Sequence, residues 1–137
     1  MPRSHASQPL SDTARTVALN LPRLRRMAQA LTGSQDGADR FTAATLDRLL
    51  EDGTGLTAHP EPRVALFVAF HQVWSRHRAM RDSTGTPIAA ADPDPREALL
   101  LQAVAGFAPG EVARIMRTDP TDVAVLIRRA RSALRGA

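Results

Sequence analysis

Cysteine is absent from the 137 residues, so neither a disulfide framework nor thiolate chemistry is open to this chain. Tyrosine and lysine are absent as well, and the tryptophan and phenylalanine together amount to one Trp and four Phe. A core has to be assembled from Leu, Ala, Val and Ile, a mixture that suits helices and predicts an all-α fold. No apolar run approaches the length needed to cross a bilayer, and the first twenty residues hold no continuous apolar segment of a secretory leader. The default expectation is a soluble, cytoplasmic protein with no membrane contact.

What is present is a hydrophobic share of 43%, enough for a folded chain, and 18 basic residues that are all arginine. The net charge is +4 and the sequence pI about 11.3. Such a pI permits nucleic-acid binding, but the excess is small and the arginines are dispersed, so charge alone decides little. The length allows one modest core or two small ones.

The clearest helix signals lie in the last third. Asp119, Pro120 and Asp122 form a start: an acceptor for first-turn amides, and a proline with its φ preset and no amide to leave unsatisfied. Val123, Leu126, Ile127, Ala130 and Leu134 then recur as one stripe of helical period. Upstream, Pro109 to Met116 reads as a short amphipathic helix, and Ala98 to Ala105 as another stopped by Gly106. Two of these helices joined by a tight turn make a helix-turn-helix. In such a motif the N-terminal part of the second helix meets base edges, and Arg, Lys, Asn and Gln make the discriminating contacts. Here the outward positions are Thr121, Asp122, Ala124 and Val125, which are poor base readers, and the acidic residue repels phosphate. A helix shaped for a groove but lined for a protein implies mimicry. Arg128, Arg129 and Arg131 further along keep phosphate contact open.

The first part of the chain reads as an extension over 1 to 20, with a short helix over Asp12 to Leu19. A helix then carries Leu21, Leu24, Met27, Ala28 and Leu31, with Pro22 near its start and Gly33 as C-cap. Ser34 caps a second helix with Ala38, Phe41, Thr45, Leu46, Leu49 and Leu50 on one broad face, followed by a loop over Gly53 to Pro60. A third helix from about Pro62 buries Leu66, Phe67, Phe70, Val73 and Trp74 and ends in Arg76, His77, Arg78 and Arg81. Alternating prolines and small residues make 82 to 95 a linker. The division expected is therefore 1–20, a helical lobe over 21–81, a linker over 82–95, and a helix-turn-helix lobe over 96–137.

No catalytic constellation is visible, and none is expected. His5, His59, His71 and His77 lack metal-ligand spacing, so no metal site and no cofactor are expected. His71 and His77 read as bordering the polar side of the third helix. The carboxylates Asp36 and Asp39, and Asp92 and Asp94, read as solvated caps and turns.

Several segments carry a family resemblance when taken in order: Leu21-Pro22-Arg23-Leu24-Arg25-Arg26, Ala30-Leu31-Thr32-Gly33-Ser34-Gln35, and Ala44-Thr45-Leu46 with Leu49. After them come Pro62-Arg63-Val64-Ala65-Leu66-Phe67 with Trp74, and Arg96-Glu97-Ala98-Leu99-Leu100-Leu101 with Gly106-Phe107. Together they resemble the sigma-factor-like domain of the PhyR family, the anti-anti-sigma regulators of the alphaproteobacterial general stress response. The resemblance implies two lobes similar to sigma factor regions two and four, and capture of a NepR-like anti-sigma factor helix. That capture would release an extracytoplasmic-function sigma factor for transcription, by occupancy and without chemistry.

Members of that family continue into a receiver domain, which this sequence does not contain, so control by phosphorylation is not carried over. A partner helix needs an apolar patch across both lobes. The candidate contacts are Phe41, Thr45 and Leu49 on the second helix, and Thr121, Val125, Arg128 and Arg129 on the last. Phe41, Thr45 and Leu49 are equally the residue types of an ordinary core. The alternative is a divergent sigma factor or DNA-binding regulator acting on promoter DNA and polymerase, with Arg76, Arg78, Arg81, Arg128, Arg129 and Arg131 as nucleic-acid contacts.

Overall fold

Six helices account for nearly all of the described residues of the computed structural model, which are 8–52, 60–82 and 93–136. They are α1 (Gln8–Thr32), α2 (Gln35–Asp52), α3 (Pro62–Asp82), α4 (Pro95–Ala103), α5 (Pro109–Met116) and α6 (Pro120–Gly136). Residues 1–7, most of the loop placed after Gly53, and 83–92 of the expected linker lie outside the described residues, as do His5, His59 and Asp92.

The first helix departs from expectation. Where a short helix over Asp12 to Leu19 was expected to precede a second one, α1 is a single helix of 25 residues with Pro22 inside it. Proline in a helix interior removes one amide and crowds the carbonyl four residues back. The helix continues because its inward face is held on both sides of that point. Asn20, Leu24, Met27, Ala28 and Leu31 are buried, and Val17 and Leu21 pack against or beside them. The Asn20 side-chain amide also donates to the Thr16 carbonyl at 2.8 Å, within the turn that precedes the proline.

The helix ends follow local chemistry. Gly33 closes α1 with φ +80°, a left-handed conformation that costs glycine little. Ser34 Oγ then accepts the Gly37 amide at 2.9 Å and opens α2. Asp94 starts α4 by accepting the Arg96 amide at 3.0 Å, and Glu111 Oε1 reaches back to the Ala108 amide at 2.9 Å at the start of α5. The turn between α5 and α6 uses Arg117 at φ 55°, the one non-glycine residue of positive φ among the described residues. At the start of α6, Thr118 Oγ1 donates to Asp122 Oδ2 at 3.2 Å.

α3 is the central element. Val64, Leu66, Phe67, Ala69, Phe70 and Trp74 are buried, which covers more than one side of the helix and lets it meet α1, α2 and α5 at once. Fully burying side chains of this size stabilises by roughly 1.5–3 kcal/mol each. In α6, Val123, Leu126, Ile127 and Ala130 point inward, whereas Leu134, expected on the same stripe, is 69% exposed along with the rest of the helix end from Arg131 to Gly136.

The buried residues form one continuous cluster, from Leu24 of α1 through Phe67 and Phe70 to Leu101, Phe107 and Ile127. Phe67 and Phe107 meet edge to face with ring centroids 5.0 Å apart, and the Arg63 guanidinium lies 4.1 Å from the Phe107 ring centre. Arg96 donates to the Ala30 carbonyl at 2.7 Å, and Arg114 pairs with Glu61. The first three helices and the last three are therefore joined by aromatic, ionic and backbone contacts as well as by the chain itself.

Candidate functional site

Two surfaces stand out, a groove between α2 and α3 and the outer face of α6. The groove has a volume of about 690 Å³. Its aromatic floor is a triad of Phe41, Trp74 and His77. Phe41 meets Trp74 edge-on at 5.3 Å and His77 edge-on at 4.9 Å, and Trp74 stacks on His77 at 5.7 Å. Met80, 70% exposed, stands at the rim. Arg40, Arg48 and Arg76 border the groove against Asp47 and Glu51, and Arg48 Nε bridges to Gln72 Oε1 at 2.8 Å. An apolar floor with a mixed, slightly basic rim suits an amphipathic helix with apolar anchors.

The residues singled out on α2 fall at different depths. Phe41 is half-buried on the groove floor. Leu49 is half-buried and packs against the core. Thr45 is fully buried, with its hydroxyl donating to the Phe41 carbonyl at 2.7 Å, so it has no surface to offer a partner. The bond to the backbone one turn earlier lets a hydroxyl lie inside the fold without an unsatisfied donor.

On α6 the outward residues are as the helical period places them. Thr121, Val125, Arg128 and Arg129 are all exposed, at spacings of four, three and one residues, and they share the face opposite Val123, Leu126 and Ile127. Val125 is 36% exposed among polar neighbours. Asp122 also faces outward near the helix start, and Arg131 is exposed further along. Of the cations proposed for nucleic acid on α3, Arg76 is exposed and Arg78 half-buried. Arg81 lies in the helix, but its side chain is outside the described residues.

The histidines are placed differently from expectation. Instead of bordering the polar side of α3, His77 joins the groove floor and His71 turns toward α4, where its Nδ1 lies 2.8 Å from Glu97 Oε2. Glu97 has no exposed surface, and burial pushes its pKa up, partly offset by the His71 hydrogen bond and charge. Asp94 is likewise buried, not solvated, and accepts the Trp74 indole N–H at 3.0 Å. Sequence reasoning singled out neither His77 nor Met80 for the groove. Their spacing of three and six residues from Trp74 was the available signal, but which neighbour covers them is a tertiary fact.

Among the described residues, no group of three or more His, Asp and Glu side chains is placed to hold a metal, and no helix is long and apolar enough to cross a membrane.

Comparison with known proteins gives a consistent result. Residues 17–71 match the family model described as the Sigma2 domain of PhyR, and residues 88–135 match that described as the sigma-like domain of the response regulator PhyR. The phyllosphere-induced regulator PhyR of Methylorubrum extorquens is 32% identical over 123 residues, covering 84% of this chain and 46% of that protein. The chain thus spans about half the length of the curated relative it matches. The crystal structure of the anti-anti-sigma factor PhyR complexed with the anti-sigma factor NepR from Bartonella quintana superposes with a TM-score of 0.64 at 30% identity, covering 85% of this chain and 46% of that one. The NMR structure of a PhyRSL–NepR complex from Sphingomonas sp. Fr1 gives a TM-score of 0.64 at 28% identity, covering 89% of this chain and 86% of that one.

Proposed function

Because this chain belongs to the PhyR family of sigma-like domains, we propose that it is a sigma-factor mimic that sequesters a NepR-like anti-sigma factor. Sequestration releases an extracytoplasmic-function sigma factor for stress-response transcription. The chain works by occupancy in the cytoplasm and catalyses no reaction. It is organised as a region-two-like lobe of α1 to α3 and a region-four-like helix-turn-helix lobe of α4 to α6, so the first lobe takes in the whole of α1 and the second begins at the Asp94 cap.

The observation that carries this reading is the outer face of α6. A helix that reads DNA is best served by Arg, Lys, Asn or Gln at its groove-entering end, and an acidic residue there repels phosphate. This one presents Thr121, Asp122 and Val125 there, all exposed. A partner helix has an apolar anchor point at Val125, polar contacts at Thr121, Arg128 and Arg129, and a second apolar seat in the groove at Phe41 with Leu49 behind it.

A parallel binding assay tests the proposal. The full chain is titrated against a NepR-type anti-sigma factor, core RNA polymerase and promoter DNA over a range of salt concentrations. Saturable binding to the anti-sigma factor that survives physiological salt, with release of the bound sigma factor, is expected. Binding to DNA that collapses with salt is only electrostatic. Preference for polymerase, or sequence-specific DNA binding at physiological salt, overturns the reading in favour of a true sigma factor.

A further inference from the structure

Two hydrogen-bonded pairs, one buried and one partly buried, join α3 to the beginning of α4. His71 and Trp74 lie one turn apart on α3, and Asp94 and Glu97 are three residues apart across the start of α4. They pair in opposite order, His71 with Glu97 at 2.8 Å and Trp74 with Asp94 at 3.0 Å.

We propose that Asp94 and Glu97 are positioning residues that fix the angle between the α2–α3 groove and the outer face of α6. The inference rests on the reading of the chain as a module that captures an anti-sigma factor with both surfaces.

Each carboxylate oxygen has a partner. Asp94 Oδ2 accepts the indole N–H while its Oδ1 accepts the Arg96 amide at 3.0 Å, so the group that caps α4 also grips α3. Both Glu97 oxygens lie within 3.0 Å of His71 Nδ1, and Ser75 Oγ lies 3.4 Å from the other ring nitrogen. The charged groups acting on Glu97 are His71 and Arg78 from α3 and Asp94 from its own segment. A buried carboxylate is a poor source of stability, since desolvation offsets most of its Coulomb gain, but its directional bonds select one geometry.

One contact between two bodies sets a distance, whereas two separated contacts set an angle. A second contact on α3 is apolar: Phe67 against Phe107, with Arg63 over the same ring. It lies about 10 Å further toward the start of the helix than Trp74, at 1.5 Å per residue. Loss of the carboxylate pairs removes the restraint at the Trp74 end of α3 and leaves α4 held through Phe107, its packing on α1 and the Arg96 bond to the Ala30 carbonyl, and α6 shifts with α4 because the two pack together. Trp74 is itself part of the groove floor, so the same bond ties the floor to the start of α4, which packs against the helix that carries the second surface.

The lack of cysteine allows paired labels at Ala43→Cys on α2 and Ser132→Cys on α6, both exposed positions. The label-to-label distance distribution is measured in the free full chain, and affinity for a NepR-type anti-sigma factor alongside it. Glu97→Ala removes one pair. Asp94→Ser keeps a helix-capping oxygen but is too short to hold the indole. Each is expected to broaden the distribution and weaken the anti-sigma factor roughly tenfold, the scale of a typical coupling energy. Glu97→Gln, which keeps shape and a hydrogen bond, is expected to restore both. An unchanged distribution in both disruptive variants, or a broadened one with unchanged affinity, overturns the proposal; if Glu97→Ala fails to fold, Asp94→Ser decides. Failure of the unsubstituted chain to bind the anti-sigma factor defeats the capture reading alone, and the distance distribution still decides whether the carboxylates set the angle.

Discussion

Glu97 is shut away from solvent with its Oε2 2.8 Å from His71 Nδ1, and burial raises its pKa more than the histidine lowers it. Folding therefore favours the protonated acid. The contribution of this side chain is fully present below its unfolded pKa and is lost as pH rises through the higher folded value. Glu97→Gln has no ionisation to lose. Urea midpoints measured from about pH 4 to about pH 8 should show stability falling less steeply with rising pH in the variant than in the parent. Parallel curves for the two proteins would mean that Glu97 does not titrate differently in the folded state.

Arg117 adopts φ 55°, where an L side chain is crowded by roughly 1–2 kcal/mol, at the C-cap of α5. Glycine relieves the crowding but adds freedom to the unfolded chain, a smaller effect of about 0.4–1 kcal/mol. Arg117→Gly should thus stabilise by up to about 1.5 kcal/mol, read as a higher urea midpoint. Arg117→Val, with a β-branched side chain at positive φ, should move the midpoint the other way.

Gly37, in the first turn of α2, faces Thr32, the last residue of α1. A Cβ there would lie 2.5 Å from Thr32 Cβ, an atom too near its own backbone to swing aside. Gly37→Ala should destabilise by about 1–3 kcal/mol, as overpacking does. Adding Thr32→Gly should recover part of the loss, and a double-mutant cycle in urea showing simple additivity would contradict the contact.

Val125 and Thr45 separate surface from support. Val125→Glu should weaken the anti-sigma factor at least about tenfold with little change in melting temperature, as for a central apolar contact. Thr45→Val removes a hydroxyl bonded within the fold. It should alter stability by about 1 kcal/mol while leaving affinity within a small factor. A Val125→Glu chain that binds normally would remove the α6 face from the proposed interface.

Punctuation was the most legible part of the fold. Gly33 and Ser34, Pro62, Gly106, Pro109 and Pro120 mark helix ends because a missing amide or a free φ acts on its own residue, whatever the tertiary context. The face of α6 was equally legible, since one helical stripe defines its opposite. Pro22 misled in part, because burial on both sides of it outweighs its local cost, and that burial is supplied by other helices. The groove was only half visible. Phe41 carried an apolar signal, but His77 and Trp74 become a floor only once α2 crosses α3. The pairs His71–Glu97 and Trp74–Asp94 join residues 26 and 20 positions apart, a separation no periodicity encodes.

Trp74 is the chain's lone indole, and it touches four things at once: a phenylalanine ring, a histidine ring, the cavity between two helices, and the carboxylate that begins α4. Its ultraviolet emission is thus a native optical gauge, free of interference from any second fluorophore of its kind or from tyrosine. Whatever settles into that cavity, or loosens that carboxylate, registers as a change in colour and intensity without any dye being attached.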